Sequence, residues 1–348
     1  MIAAATFHPY RLPLVRPWVD AGLTLAERSG VLVRVMAEGG TAGWGDCAPL
    51  PGRTEDLTAA LAALTGAVAR LPGQPLGRAL AGLALPSCPA ARCGLETALL
   101  DLDARRRGLP LAGHLSPGTD ATSVMVNAVL GTLDAHCAAR ARGAQDAGFG
   151  VAKVKVGIGD WREEARDLRR LAEEVTALRF RLDANRAWSE DDAAGFLAAV
   201  ADLPVEAVED PLAAPDFDAL GRLQARVPFP LALDESVPSD ADAALASQAV
   251  RRLVLKPTAL GGPLAALALA RRARAKGIET VVTSSLDSAI GVTAAAHLAA
   301  ALGEGPAHGL ATLDWLGADV APRPALSAGR LRLPAGAGIG LVPFRQTA

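Results

Sequence analysis

The chain has 348 residues, of which 51% are hydrophobic and 21% are charged, and its formal net charge is −2. This composition indicates a globular protein large enough for more than one domain and excludes an intrinsically disordered chain. The near-neutral charge, without a basic stripe, argues against a nucleic-acid partner and against an anionic membrane surface.

Targeting and membrane segments are not expected. The N-terminus lacks a basic region followed by a sustained apolar run, so we predict no signal peptide. The uncharged stretch at 288–303 contains two glycines and a histidine and is too short to span a bilayer. The four cysteines show no Cys-x2-Cys spacing. We therefore expect a cytoplasmic protein with free thiols, whose oligomeric state the sequence leaves open.

The first 110 residues predict a compact α+β capping domain. Strands are expected at 2–14 and 30–37, where the second shows alternating apolar residues. The segment 43–52 is dense in glycine and proline and predicts a constrained loop. Helical spacing follows at 54–71 and 88–106.

A regular alternation of strands and helices follows and predicts a (β/α)7-8 barrel over residues 111–319. Strands are predicted at 123–130, 152–157, 179–183, 205–209, 230–234, 253–256, 281–283 and 308–310, and helices at 161–176, 189–202, 214–226, 239–248, 262–276 and 287–302. Residues 320–348 are rich in proline and glycine, and we expect them to pack back on the first domain.

Charged residues end successive apolar runs in this region at nearly constant intervals. They are Lys155, Asp183, Glu209, Asp234 and Lys256, separated by 28, 26, 25 and 22 residues. A β/α/β unit occupies about 30 residues, so the spacing fits one charged group per unit. In a closed barrel the carboxyl ends of the strands form one ring, at the face where catalysis occurs. We therefore expect these groups to converge on one cavity.

The three carboxylates in this series indicate a metal site. Asp183, Glu209 and Asp234 would repel one another without a cation, and hard oxygen ligands suit Mg2+, with Mn2+ as an alternative ion. Each carboxylate taken alone could instead cap the helix that follows it. Three on consecutive strands favour the metal.

The lysines complete the predicted site. Lys153 and Lys155 alternate with valines, so both lie on the same face of one strand. Lys256 ends another strand and would face Lys155 across the cavity. Lysines near one another and near a divalent cation hold their protons less tightly, so one can act as a base. The alternatives are surface lysines at strand ends and, for Lys256, a salt bridge with one of the carboxylates.

These motifs resemble the enolase superfamily in its muconate-lactonizing subgroup, and within it the o-succinylbenzoate synthase family. The resemblance covers essentially the whole chain and rests on Lys153-x-Lys155, Arg181-Leu-Asp183-Ala-Asn185, Val208-Glu209-Asp210-Pro211, Leu233-Asp234-Glu235-Ser236, Lys256-Pro257 and the segments 284–288 and 308–310. The segment 45–52 is similar to the family's Gly-Glu-x-x-Pro-Leu-Pro-Gly loop, with Asp46 where glutamate is more usual.

The resemblance implies an α/β fold, a modified TIM barrel with an N-terminal capping domain, and an Mg2+-dependent enzyme of small carboxylates. Asp183, Glu209 and Asp234 would bind the ion. Lys155 would remove the proton alpha to the substrate carboxylate and give an enediolate, with the cation of Lys256 on the opposite face. Syn elimination of water would then convert 2-succinyl-6-hydroxy-2,4-cyclohexadiene-1-carboxylate into 2-succinylbenzoate, a step of menaquinone biosynthesis. On the same grounds, substrate contacts are expected from Lys153, Arg181, Ser284, Ser285, Pro51 and Gly52.

Other functions stay open at this point. An N-acylamino-acid racemase or another epimerase would need the same two lysines. Dipeptide epimerases usually have Asp-x-Asp after the eighth strand, where this chain has Gly-Leu-Ala-Thr-Leu-Asp at 309–314. A muconate cycloisomerase fits the 45–52 loop and the 308–310 segment less well. The remaining class is a barrel without catalytic activity, whose charges form a structural ion cluster.

Overall fold

The computed structural model describes residues 1–20, 23–214 and 216–344. Position 215 of the predicted helix 214–226 and residues 345–348 of the predicted tail lie outside the described residues. The N-terminal part contains an antiparallel sheet with the order β1-β2-β3. Its strands are β1 Ile2–Asp20, β2 Leu23–Ala37 and β3 Ala42–Cys47.

The first hairpin is longer than the sequence predicts. Pairing between β1 and β2 continues past a register shift to Asp20 and Leu23, whereas the predicted strands end at residue 14 and begin at residue 30. Most side chains at 11–18 and 24–29 are exposed or half-buried, so they do not show the alternating burial from which a strand is predicted. Pairing with the partner strand and the packing of Trp18 on Trp315, rather than alternating burial, stabilise this extension.

The predicted loop at 43–52 is wrong in its first half, because residues 42–47 form strand β3. The glycines there permit close packing of the helix Pro89–Arg106 against the strand. A Cβ atom added at Gly43 would lie 2.2 Å from the Ala98 carbonyl oxygen, and one at Gly45 would lie 2.0 Å from the Gly94 carbonyl oxygen. Glycine in a strand can reflect such an approach instead of a turn.

Four helices accompany or follow this sheet. They are α1 Leu57–Val68, α2 Leu76–Ala81, α3 Pro89–Arg106 and α4 Leu111–Leu115. The first helix begins later than predicted, because Asp56 is its N-cap and accepts a hydrogen bond from Ala59 N at 2.8 Å. The preceding Glu55 accepts hydrogen bonds from Ala90 N and Ala91 N at the start of α3.

The remainder of the chain is built around a curled parallel sheet of seven strands. The chain order of its elements is β4 Ser123–Met125, β5 Ala128–Thr132, α5 Cys137–Asp146, β6 Val151–Lys155, α6 Trp161–Glu174, β7 Arg179–Asp183, α7 Glu190–Ala199, β8 Val205–Glu209, α8 Phe217–Gln224, β9 Leu231–Leu233, α9 Val237–Ser247, β10 Arg252–Leu255, α10 Pro257–Leu260, α11 Pro263–Arg274, β11 Glu279–Val282 and α12 Ala289–Leu302. The sheet has the order β11-β10-β9-β8-β7-β6-β5.

Residues 308–310, which are predicted as the eighth strand, do not form a strand. Isolated bridges join His308 to Val126 and Gly309 to Thr283, so this segment connects the two edges of the curled sheet without forming a regular ladder. The segment is short and lies between a proline-containing bend and a 3-10 helix at Leu313–Trp315. The α/β fold with an N-terminal cap is therefore confirmed, and its seven-stranded parallel sheet is a curled half-barrel.

The C-terminal segment returns along the molecule. Strands β12 Leu326–Ser327 and β13 Arg330–Arg332 form a small sheet with β4. Farther on, Ile339 N donates to Asp101 Oδ1 of α3 at 2.6 Å. The domain limits 1–110 and 111–319 stay predictions. None of the described helices combines the length and apolarity needed to cross a membrane.

Candidate active site

Strand register brings the predicted charged residues to one end of the curled sheet. Lys155 on β6 lies beside Asp183 on β7, and Asp183 lies beside Glu209 on β8. Lys153, one pleat lower, lies beside Arg181. The intervening Val154 is fully buried on the other face of β6, so alternation directs both lysines into the barrel.

The three carboxylates of Asp183, Glu209 and Asp234 form a buried acidic triad. One oxygen from each lies within 4.8 Å of the others. Among the described residues, Glu209 Oε1 accepts no hydrogen bond, and Arg181 Nε is 3.7 Å away. Burial and the neighbouring carboxylates raise the pKa of Glu209, although the Lys153 ammonium opposes them. A buried oxygen without a donor, next to two further carboxylates, fits a hard divalent cation. The acidic triad could therefore hold a metal ion.

Lys153 is held by this triad. Its Nζ lies 2.8 Å from Asp183 Oδ2 and 2.5 Å from Glu209 Oε2. Burial works to lower the pKa of Lys153, but Asp183, Glu209 and Asp234 outweigh it and hold that pKa well above its ordinary value. Lys153 is therefore a charged counter-ion of the carboxylates in this structure. It also lines the main cavity, and its contact with the substrate stays a prediction.

Lys256 occupies the other side of the triad. Its Nζ lies 2.8 Å from Asp234 Oδ1 and 2.9 Å from Glu235 Oε1, and Arg53 contacts the second oxygen of Glu235 at 2.8 Å. Burial lowers the pKa of Lys256, but the two carboxylates outweigh it and raise it above its ordinary value. The salt bridge with Asp234, which the sequence left as an alternative, is thus present and holds the lysine as a cation.

A cavity of about 310 Å³ contains these groups. It is lined by the predicted Lys153, Lys155, Arg181, Asp183, Glu209, Asp234, Lys256 and Ser284, and also by Arg16, Trp18, Asn127, Thr312 and Trp315. A smaller cavity of about 170 Å³ shares Asp234, Glu235 and Lys256 with it. Gly52 and Ser285 line only the smaller cavity, and Pro51 lines neither in the part of the chain that the structure describes.

Arg181 lies deep in the main cavity and is 1% exposed. Its guanidinium donates to Glu206 Oε2 at 2.9 Å, to Asn127 Oδ1 at 3.1 Å and to the Ala307 carbonyl oxygen at 2.8 Å. Burial raises the pKa of Glu206, but Arg181 and Arg252 outweigh it and hold that pKa at about 2. Arg181 is thus fixed beneath the acidic triad by an ion pair and two further hydrogen bonds.

An aromatic cluster that was not predicted from the sequence lines the main cavity. The guanidinium carbon of Arg16 lies 4.1 Å from the centroid of the Trp315 ring, and the Trp18 ring meets Trp315 edge-on at 4.8 Å. Both Arg16 and Trp18 belong to the hairpin extension that was not predicted. The available signal was Trp18 itself, because an exposed hairpin has little structural need for a tryptophan.

The sequence of this chain matches two known protein-family descriptions. Residues 136–347 match the family described as enolase C-terminal domain-like, and residues 1–115 match the N-terminal domain of the mandelate racemase / muconate lactonizing enzyme family. The chain belongs to the enolase superfamily. Enzymes of the superfamily use Mg2+ and act on small carboxylate substrates.

Relatives within the superfamily differ in the reaction they are named for. The hydrophobic dipeptide epimerase of Citrifermentans bemidjiense is 33% identical, over 96% of this chain and 95% of its own length. The o-succinylbenzoate synthase of Yersinia enterocolitica is 32% identical, over 90% of this chain and 91% of its own. The structure of the muconate lactonizing enzyme of Pseudomonas fluorescens complexed with muconolactone has a TM-score of 0.89 at 25% identity, over 99% of this chain and 96% of that chain.

Proposed function

We propose that this enolase-superfamily enzyme is an o-succinylbenzoate synthase, which removes water from 2-succinyl-6-hydroxy-2,4-cyclohexadiene-1-carboxylate to give 2-succinylbenzoate. The observation that carries the proposal is a pair of neutral hydroxyl groups in the cavity wall. Ser284 Oγ and Thr312 Oγ1 lie 2.7 Å apart, and both residues line the cavity. Thr312 belongs to the segment in which dipeptide epimerases usually have Asp-x-Asp. Hydroxyls can donate to a succinyl carbonyl or carboxylate, but they supply no charge to pair with the ammonium of a dipeptide.

The acidic triad and Lys155 would carry the chemistry. Mg2+ held by Asp183, Glu209 and Asp234 would supply positive charge to the substrate carboxylate and to the enediolate left by proton removal. Lys155 removes the proton alpha to that carboxylate. The resulting ammonium then returns the proton to the β-hydroxyl on the same face. Water leaves by syn elimination, and Lys155 is neutral again.

Lys256 serves as a fixed cation on the opposite face. Its ammonium is held between Asp234 and Glu235, which orients it toward the cavity that it lines. A positive charge fixed in a buried site stabilises negative charge as it develops, without reorganisation at the moment of reaction. Lys256 therefore lowers the barrier by its charge and position.

Arg16 is assigned to the succinyl carboxylate. It lines the main cavity, and stacking on an aromatic face leaves the N–H edge of a guanidinium free to bind an anion. The substrate carries one carboxylate at the reacting ring and a second one at the end of its succinyl chain. The acidic triad with its ion and Arg16 thus match the two charged ends.

An N-acylamino-acid racemase is the second candidate. Lys155 and Lys256 both line the cavity, which is the arrangement that two-base racemisation needs, and Arg16 could hold an N-succinyl group equally well. The relative named as an epimerase, at an identity similar to that of the synthase, supports keeping this candidate.

The proposal is tested by turnover of the cyclohexadiene substrate, followed by loss of its ultraviolet absorbance. We expect rapid dehydration by the enzyme with Mg2+, loss of activity with EDTA, and recovery when Mg2+ is added back. An enzyme that is folded and binds Mg2+ but does not dehydrate this substrate would exclude the synthase.

A further inference from the structure

Arg28 on β2 joins three separate segments of the chain. Its side chain is almost fully buried, with 2% exposed. Arg28 Nε donates to the carbonyl oxygen of Leu286 at 3.1 Å, and the two terminal nitrogens donate to the carbonyl oxygens of Ser29, Ala48 and Pro49. One guanidinium thus connects β2, the closing loop (residues 48–53) and the β11 loop (residues 283–288).

The carbonyl group that Arg28 holds in the β11 loop belongs to a strained residue. Leu286 has φ 59°, in the left-handed region, which costs a leucine about 1 kcal/mol or more. Such a conformation persists where surrounding contacts impose it. The hydrogen bond from Arg28 is one such contact, and Leu286 directly follows Ser284 and Ser285, which line the two cavities.

A second connection joins the β11 loop to β3, the strand that leads into the closing loop. Asp46, at the end of β3, accepts hydrogen bonds from Ser288 N at 2.9 Å and Ser288 Oγ at 2.7 Å. Its other oxygen accepts from the Tyr10 hydroxyl at 2.8 Å. The β11 loop is therefore fixed at two points. Arg28 holds Leu286 together with the start of the closing loop, and Asp46, two residues before that loop, holds Ser288.

The connected loops face the catalytic groups. Gly52 and Arg53 of the closing loop and Ser285 of the β11 loop line the smaller cavity together with Lys256. Burying a guanidinium costs several kcal/mol that its contacts must offset, and a hydrophobic side chain of similar size can often fill such a place at equal or better stability. The use of a charged donor at this position is therefore better explained by geometry than by stability.

We propose that Arg28 is a positioning residue, which sets the closing loop against the β11 loop and so maintains the wall of the cavities around Ser284, Ser285 and Lys256. The effect on catalysis rests on the proposed function, whereas the mechanical coupling of the two loops does not.

The test compares Arg28→Met and Arg28→Lys with Arg34→Met as the matched control. Arg34 lies on the same strand, where its guanidinium carbon is 5.6 Å from the centroid of the Trp44 ring. Hydrogen–deuterium exchange of the full chain is measured by mass spectrometry well below the unfolding temperature, and kcat and KM are measured with the cyclohexadiene substrate and Mg2+.

For Arg28→Met we expect faster exchange in residues 48–54 and 283–288 together, with the remaining peptides unchanged. We also expect kcat/KM to fall by about 10- to 100-fold, the range for lost supporting contacts around a catalytic site, mainly through a higher KM. Arg28→Lys, which keeps a donor, should recover part of both effects, and Arg34→Met should show neither.

Uniformly faster exchange, or unchanged kcat/KM in a folded variant, would overturn the proposal and leave Arg28 a purely structural residue. If Arg28→Met does not fold, Arg28→Lys is judged by the same two criteria. If the unmodified enzyme does not turn over the substrate, the proposed function fails, and the exchange of the two loops alone decides whether Arg28 couples them.

Discussion

Lys153 Nζ lies 2.5 Å from Glu209 Oε2, so the lysine and a metal ion would share one carboxylate. The second oxygen of Glu209 accepts no hydrogen bond from any described residue. The lysine thus neutralises part of the acidic triad, and the oxygen without a donor stays available for a cation. Because Lys153 balances part of their negative charge, the three carboxylates can be buried together before an ion binds.

Replacing Lys153 should make the protein more dependent on the ion. In Lys153→Met the carboxylates of the triad lose their counter-ion and repel one another. We expect the variant to have a lower Tm than the unmodified protein in EDTA, and Mg2+ to raise its Tm by more. Thermal unfolding with and without Mg2+ measures both quantities. Lys276→Met, at an exposed lysine, is the control. An equal Mg2+-induced shift in all three proteins would contradict this account of Lys153.

Lys155 is expected to act in catalysis and not in folding. Because removal of a general base typically costs 10²- to 10⁴-fold, we expect Lys155→Ala to lower kcat by about 10³-fold or more. Its Tm and its calorimetric Mg2+ affinity should stay close to those of the unmodified enzyme. Lys276→Ala again serves as the control. A large loss of stability with no specific loss of turnover would instead support a structural ion cluster.

Arg16 should determine affinity for the succinyl end of the substrate. A hydrogen bond to a charged group contributes about 1.5–3 kcal/mol, so we expect Arg16→Met to raise KM by about 10- to 100-fold with little change in kcat. Arg11→Met is a matched control, because Arg11 lies on the same strand and pairs with Glu27 at 3.6 Å, outside the cavity. Equal KM values for the two variants would remove Arg16 from the substrate site.

Asp287 should give stability a specific dependence on pH. Burial and the nearby Asp46 raise the pKa of Asp287 to about 7, and Arg28 only partly opposes them. An aspartate in an unfolded chain has a pKa of about 3.9. The native state binds the Asp287 proton more tightly than the unfolded chain does. The contribution of Asp287 to the free energy of unfolding is therefore complete below pH about 4 and is lost as the pH rises to about 7.

The free energies of unfolding of the unmodified protein and of Asp287→Asn, measured from pH 4 to 8, test this expectation. Relative to the variant, the unmodified protein should lose on the order of a few kcal/mol across that range. His297, whose pKa burial lowers to about 4, changes stability in the opposite direction, but it is present in both proteins and cancels in the difference. Parallel pH profiles would show that Asp287 does not titrate as described.

The sequence predicted the parts of the molecule that follow a regular period. The interval between strand ends depends only on the lengths of a strand, a helix and two loops, so the meeting of Asp183, Glu209 and Asp234 could be predicted. Alternation along one strand likewise predicted that Lys153 and Lys155 point to the same side. The enolase superfamily was identified on these same motifs and is confirmed.

Features that depend on contacts between distant segments were not predicted. The glycines of β3 suggested a turn, because nothing local shows that α3 packs against them. The hairpin extension that carries Arg16 is stabilised by its partner strand, and its own residues lack the alternation of a buried strand. The role of Arg28 could not be predicted from the sequence, because its partners are backbone carbonyl groups up to 258 positions away.

Turnover of both candidate substrates by one enzyme preparation in deuterated water separates the synthase from the racemase. Dehydration of the cyclohexadiene substrate is followed by its absorbance, and α-deuteration of N-succinylamino acids is followed by mass spectrometry, both with Mg2+. We predict a kcat/KM for dehydration that exceeds that for α-deuteration by about 100-fold or more, a difference of about 2.7 kcal/mol between the two transition states. Rapid α-deuteration without dehydration would contradict the synthase and assign the chain to the racemases.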